Sequence, residues 1–162
     1  HVAVRRQRQM CIRDRSRREK RVDGILCFYG DDQIDSSLLD ADIVVLLLPD
    51  TPLTQNILNQ HTLNLLKRGA FVLNPGRGPL IDDDALLAAL ETGQIEHATL
   101  DVFRIEPLPK NHQYWSNNKV TVIPHKASET RPKTASQVIA MNIERAENGQ
   151  ELLYLVDREN GY

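Results

Sequence analysis

Residues 43–48, Ile-Val-Val-Leu-Leu-Leu, form an uninterrupted apolar run closed by Pro49. A short run this uniformly apolar is what a strand buried on both faces of a parallel sheet requires. Parallel neighbours cannot be joined by a tight turn, so a helical crossover must precede each further strand. The run therefore points to alternating strands and helices. It is also far shorter than the roughly 20 apolar residues that span a bilayer, and no membrane role follows.

From about Ser16 the chain supplies that alternation. Strand-like runs recur at residues 70–73, 97–102 and 120–123. Between the first two strands, Leu63, Leu65 and Leu66 give residues 59–67 a short helical pattern that Gly69 should stop. Asp82, Asp83 and Asp84 open a second helix over 85–91, with Leu86, Leu87 and Leu90 on one stripe and Gly93 behind it. Acids at that start suit the positive end of the helix dipole. A last helix over 131–147 has Pro132 in its first turn and Gly149 at its end. The expected class is α/β, the carboxy-terminal half of a Rossmann-type doubly wound parallel sheet with right-handed crossovers. No Gly-x-Gly-x-x-Gly occurs, so the chain reads as starting after the phosphate-binding turn of such a domain.

Charge divides the chain unevenly. Residues 1–21 hold nine Lys or Arg against two acids, a net of +7, whereas the remainder holds eleven against twenty, a net of −9. A basic arm on an acidic body suits nucleic-acid contact, which would be salt-dependent and lost with residues 1–21. The competing reading is preferred: Met10-Cys11-Ile12-Arg13-Asp14-Arg15 resembles a translated sequencing adapter, and residues 1–15 are expected to be a non-native leader. That segment also lacks the apolar core of a secretory signal. Cys11 and Cys27 form no metal or redox spacing and no disulfide framework, which favours a reducing, cytoplasmic setting.

Three of the strand-like runs end in reactive polar groups. Arg77 follows Asn74-Pro75-Gly76, Glu106 follows Asp101-Val102-Phe103-Arg104-Ile105, and His125 follows Pro124. Carboxyl ends of parallel strands converge on one crevice, so these groups can meet at one ligand. Reducing a 2-oxo acid needs a hydride, a proton for the carbonyl oxygen and a holder for the carboxylate. The planar fork of Arg77 matches a carboxylate in two parallel hydrogen bonds, which Lys cannot do. An ordinary surface arginine is the competing reading; Asn74 and the flanking glycines, which permit close backbone approach, favour a ligand site. His125 can give and retake a proton near neutral pH. A Glu106 carboxylate on its far nitrogen would fix its tautomer and favour the protonated form. His1, His61, His97 and His112 read better as structural or solvated.

From Ser16 to Tyr162 the sequence resembles the D-isomer-specific 2-hydroxyacid dehydrogenases, most closely their glyoxylate/hydroxypyruvate reductase branch. The carriers are Leu47-Leu48-Pro49 before Thr54, Asn-x-x-Arg-Gly at 74–78, Asp101-Val102-Phe103 with Glu106-Pro107-Leu108-Pro109, Pro124-His125, Thr130-Arg131-Pro132, and Val156-Asp157-Arg158 through Gly161-Tyr162. The resemblance implies that Arg77, Glu106 and His125 carry the catalytic roles. It also implies cofactor contacts at Ser16, Arg17, Leu48, Pro49, Asn74 and Asp101, although a strand-end Asp is more often a turn former. An Arg at 17, where an acid would bind a ribose 2′-hydroxyl, argues for NADP over NAD.

The resemblance further implies a small 2-oxo-acid substrate and a homodimer. Residues 16–149 would be a partial dinucleotide-binding domain, and 150–162 a tail returning to a substrate domain outside the chain, leaving the fragment weak or inactive by itself. Pro75-Gly76 before Arg77, and Lys126 and Glu129 around His125, depart from the family's usual residues. The alternative from another class is a non-enzymatic co-regulator that binds a dinucleotide and recruits protein partners. Intact Arg77, Glu106 and His125 count against it.

Overall fold

A computed structural model of the chain describes residues 11–127 and 130–158. Glu129, the closing Gly161-Tyr162, His1 and Met10 lie outside the described residues. Among the described residues six strands occur, in the order β1 (Arg13–Ser16), β2 (Leu26–Tyr29), β3 (Ile43–Val45), β4 (Ala70–Asn74), β5 (Ile95–Leu100) and β6 (Val120–Val122). The helices are α1 (Ile34–Leu38), α2 (Gln60–Leu65), α3 (Asp83–Thr92) and α4 (Pro132–Glu147), with short 3-10 turns at Gly78–Leu80 and Gln113–Trp115. The chain is α/β and every strand pairing is parallel. β3, β4, β5 and β6 form one sheet in chain order, while β1 and β2 form a separate two-stranded sheet among the described residues.

The main core lies on one face of the four-stranded sheet. Val44, Val72 and Ala98 stand in register across β3, β4 and β5 and join Leu63 of α2 with Leu86 and Leu90 of α3 in one apolar cluster. Leu86 and Leu90 are fully buried, worth about 1.5–3 kcal/mol each in water exclusion. The sequence ends α3 at both sides. Asp82 Oδ1 accepts from the Ala85 N–H at 3.1 Å, and Gly93 closes the helix in the left-handed region at φ 71°. Asn59 caps α2 reciprocally with Thr62: its side chain accepts from His61 and Thr62 N–H, and its own N–H donates to Thr62 Oγ1.

Several expectations are corrected. Residues 43–48 are not buried on both faces. Ile43 and Val45 are about half exposed, because α2 and α3 cover only the opposite face and β3 is an edge strand. α2 stops at Leu65 rather than at Gly69; Leu66 turns extended and is thereby buried in the core. β5 begins at Ile95, two residues before the expected start, and ends at Leu100. The β1 and β2 pair and α1 were not anticipated. β1 straddles the expected leader boundary, and its arginines are fastened: Arg15 donates to the Gly30 carbonyl and pairs with Asp31 at 2.5 Å, while Arg13 donates to the Leu39 carbonyl.

Candidate active site

The residues singled out in the sequence stand at the carboxyl ends of adjacent parallel strands: Asn74 as the last residue of β4 and Arg77 after it, Asp101 and Glu106 after β5, His125 after β6. Backbone hydrogen bonds link the three tips laterally. The Asp101 N–H donates to the Asn74 carbonyl at 3.1 Å, and the His125 N–H donates to the Asp101 carbonyl at 2.7 Å.

The turn after β4 is built by a buried amide. Asn74 is 1% exposed; its Oδ1 accepts from the Gly76 N–H at 3.1 Å and its Nδ2 donates to the Arg77 carbonyl at 2.9 Å. That leaves the Arg77 side chain in solvent, with Nη1 donating to the Gly76 carbonyl at 2.7 Å. Among the described residues no carboxylate pairs with Arg77, so its charge is uncommitted. Gly78 lies against the next turn. A Cβ there would sit 1.9 Å from the Phe103 carbonyl carbon and 2.3 Å from the Arg104 nitrogen, so only glycine permits this approach.

The turns after β5 and β6 hold a carboxylate against an imidazole. Glu106 Oε1 accepts from the Phe103 N–H at 2.9 Å, and its Oε2 lies 3.1 Å from His125 Nδ1. A carboxylate can only accept, so Nδ1 carries the hydrogen and Nε2 faces outward. Both side chains reach solvent, His125 at 56% and Glu106 at 38% exposure, as groups awaiting a ligand must. His125 adopts a left-handed backbone, φ 53°. Asp101, 4% exposed, accepts on Oδ1 from the N–H groups of Lys126 at 2.6 Å and Ala127 at 2.7 Å.

The other expected cofactor positions occupy further strand tips. Ser16 ends β1 and its Oγ donates to the Arg18 carbonyl; Arg17 follows it, exposed. Leu48 and Pro49 follow β3, half-buried, in a turn where Thr54 Oγ1 donates to the Pro49 carbonyl at 2.6 Å. The remaining described histidines have local partners: His61 pairs with Asp35, His97 with Thr121, and His112 accepts from the Tyr114 N–H.

Sequence reasoning missed the braces behind the site. The Arg104 guanidinium donates to Asn56 Oδ1 at 2.5 Å and to the Ile81 carbonyl, tying the Glu106 loop to the Arg77 side. Tyr114, 2% exposed, donates to Asp83 Oδ1 at 2.8 Å. Burial, and then the Asp83 charge, push its phenol far above the ordinary tyrosine range. A hollow lined by Leu87, Glu91, Gln113, Asn117 and Lys119 lies between α3 and the segment leading into the amino end of β6, away from the strand tips, and gathers no comparable constellation. Among the described residues no cluster has the makings of a metal site, and no helix is long and apolar enough to cross a membrane.

Comparison with known proteins agrees with this fold. The D-isomer specific 2-hydroxyacid dehydrogenase NAD-binding domain matches residues 6–127. A glyoxylate/hydroxypyruvate reductase A from Yersinia enterocolitica is 40% identical over 93% of this chain and 48% of its own length. The chain thus spans about half the length of the curated relatives it matches. A D-isomer specific 2-hydroxyacid dehydrogenase from Xanthobacter autotrophicus, crystallised with NADPH and MES, superposes with a TM-score of 0.92 at 42% identity, covering 96% of this chain and 64% of that one. The NADPH-dependent glyoxylate/hydroxypyruvate reductase of Sinorhizobium meliloti, crystallised with NADP and sulfate, gives 0.89 at 30% identity, covering 95% of this chain and 50% of that one. With more than half of its residues matched to that NAD-binding domain and its strand tips in the corresponding fold, the chain belongs to the D-isomer-specific 2-hydroxyacid dehydrogenase family.

Proposed function

We propose that the protein carrying this chain reduces a small 2-oxo acid of the glyoxylate or hydroxypyruvate type, using NADPH in preference to NADH. The observation that carries the reading is the 3.1 Å contact between His125 Nδ1 and Glu106, set on strand tips next to the one that bears the uncommitted Arg77. The donor set fits a dinucleotide: a hydroxyl and a guanidinium, Ser16 and Arg17, end β1 where a ribose phosphate is received in this fold, and Leu48 and Pro49 offer an apolar wall. Asp101 lies at the tip of β5, where the nicotinamide end is expected, while the buried Asn74 amide shapes the neighbouring turn. When bound, NADPH supplies the hydride for the carbonyl carbon.

The chain's own residues do the rest. Arg77 turns from its Gly76 carbonyl to hold the substrate carboxylate in two hydrogen bonds and polarise the adjacent carbonyl. Glu106 occupies Nδ1 and so fixes the tautomer and ring direction of His125. The protonated ring then gives its Nε2 hydrogen to the carbonyl oxygen as the hydride arrives, leaving neutral His125 with Nδ1–H still on Glu106. Oxidation of the hydroxy acid runs the same proton transfer backwards.

The resemblance also supports a homodimer, and the two cysteines, which form no disulfide framework, favour a cytoplasmic setting. A test is to express the longest open reading frame that carries this chain and follow NADPH oxidation with glyoxylate and with hydroxypyruvate. Turnover that needs the oxo acid and is faster with NADPH than with NADH is expected. Binding of dinucleotide and of a peptide partner without oxo-acid turnover would favour the co-regulator instead.

A further inference from the structure

Asp101 does something that a cofactor contact does not require. Its Oδ1 takes two short hydrogen bonds from the consecutive N–H groups of Lys126 and Ala127, while its carbonyl takes a third from the His125 N–H at 2.7 Å. The side chain is 4% exposed, so the two carboxylate bonds are shielded from competing water. The residue they enclose, His125, stands at φ 53°, a backbone region uncommon for residues with a Cβ. Such a conformation persists only where its surroundings over-determine it.

Two residues further along, the same turn fixes the other half of the pair. The Phe103 N–H donates to Glu106 Oε1 at 2.9 Å, which leaves Oε2 for His125. Residues 101–103 therefore place both the imidazole and the carboxylate that orients it.

We propose that Asp101 is a positioning residue for His125, anchoring the 125–127 turn so that His125 stays in its left-handed conformation and Nδ1 meets Glu106 before any cofactor or substrate arrives. Its consequence for catalysis rests on the reductase reading above; its structural content does not. The two are separated by a measurement on this chain without cofactor.

Nitrogen-15 spectra of the histidine rings, recorded at pH about 8.5 where imidazole is neutral, report which ring nitrogen of His125 carries hydrogen. The unsubstituted chain is expected to hold the Nδ1–H form. Asp101→Ala should lose that form and speed amide exchange at Lys126 and Ala127 by about tenfold or more. Asp101→Asn keeps an acceptor oxygen and should retain the Nδ1–H form, with a smaller rise in exchange at those two amides. If Asp101→Ala does not fold, the Asn variant carries the test through its exchange rates. An unchanged His125 tautomer in a folded Asp101→Ala chain, or unchanged exchange at 126 and 127 in Asp101→Asn, would overturn the proposal. Failure of glyoxylate turnover with both readouts as expected would remove the reductase reading and leave this one standing.

Discussion

The turn after β4 and the paired turns after β5 and β6 position reactive groups by opposite means. In the first, a buried neutral amide, Asn74, organises the backbone and leaves the Arg77 side chain, among the described residues, with its own loop's carbonyl as partner. In the second, a buried carboxylate, Asp101, organises the backbone, and the reactive side chain is itself held by a further carboxylate, Glu106. On the proposed reductase reading, the difference follows from the tasks. An anion holder must stay uncommitted until the anion arrives, because a standing carboxylate partner would compete with the substrate. A proton donor gains from being aimed beforehand, since orientation lost in the ground state must be recovered in the transition state.

The sharpest way to break this arrangement is at the seam between the two turns. Gly78→Ala would place a Cβ inside contact distance of Phe103 backbone atoms that cannot swing aside. It should cost about 3 kcal/mol or more by overpacking, read as a lower denaturation midpoint, and it should disturb the amide resonances of both turns together. A change confined to residues 75–79 would show that the turns are not coupled there.

A smaller effect is expected from the brace behind them. Tyr114→Phe removes the hydrogen bond to Asp83 and should cost about 1–2 kcal/mol, with the Arg77 turn unchanged. The same residue sets a pH dependence. Its folded phenol binds its proton more tightly than the unfolded one, whose pKa is about 10. Its contribution is therefore intact below that pH and is lost as pH rises above it. Denaturation midpoints measured from pH about 8 to 11 should fall at the alkaline end, and Tyr114→Phe should flatten that fall. An equal slope in both proteins would assign the alkaline loss to other groups.

The parts of the fold that were legible are those where the local pattern and the tertiary task coincide. α3 carries its cap, its stripe and its stop within Asp82 to Gly93, so nothing outside the segment is needed to recognise it. α4 is similarly marked by Pro132 and Gly149. β1 was hidden because Arg13, Asp14 and Arg15 break any apolar pattern; the arginines serve the strand by reaching across to backbone carbonyls of residues 30 and 39. The apolar run at 43–48 misled in the other direction. It reports what the strand can bury, not how many layers cover it, and here one layer does.

At the site, residue types and order were enough to single out Arg77, Glu106 and His125, because few side chains hold a carboxylate or exchange a proton near neutral pH. The hydrogen bonding of the groups around them was not legible. Asn74 and Asp101, expected at the cofactor, also shape turns; nothing in a strand-end Asn or Asp announces which backbone N–H it will meet. The close approach at Gly78 is likewise a property of two segments some 25 residues apart, visible only once β4 and β5 are paired.

The central claim is a division of labour between Arg77 and His125, and steady-state kinetics of oxo-acid-dependent NADPH oxidation test it most directly. His125→Gln should lower kcat by about 10²–10⁴-fold with little change in KM for the oxo acid. Arg77→Lys, which keeps the charge and loses the fork, should raise that KM by about tenfold or more. Unimpaired kcat in His125→Gln, or an Arg77→Lys enzyme with unaltered KM and kcat, would contradict the account.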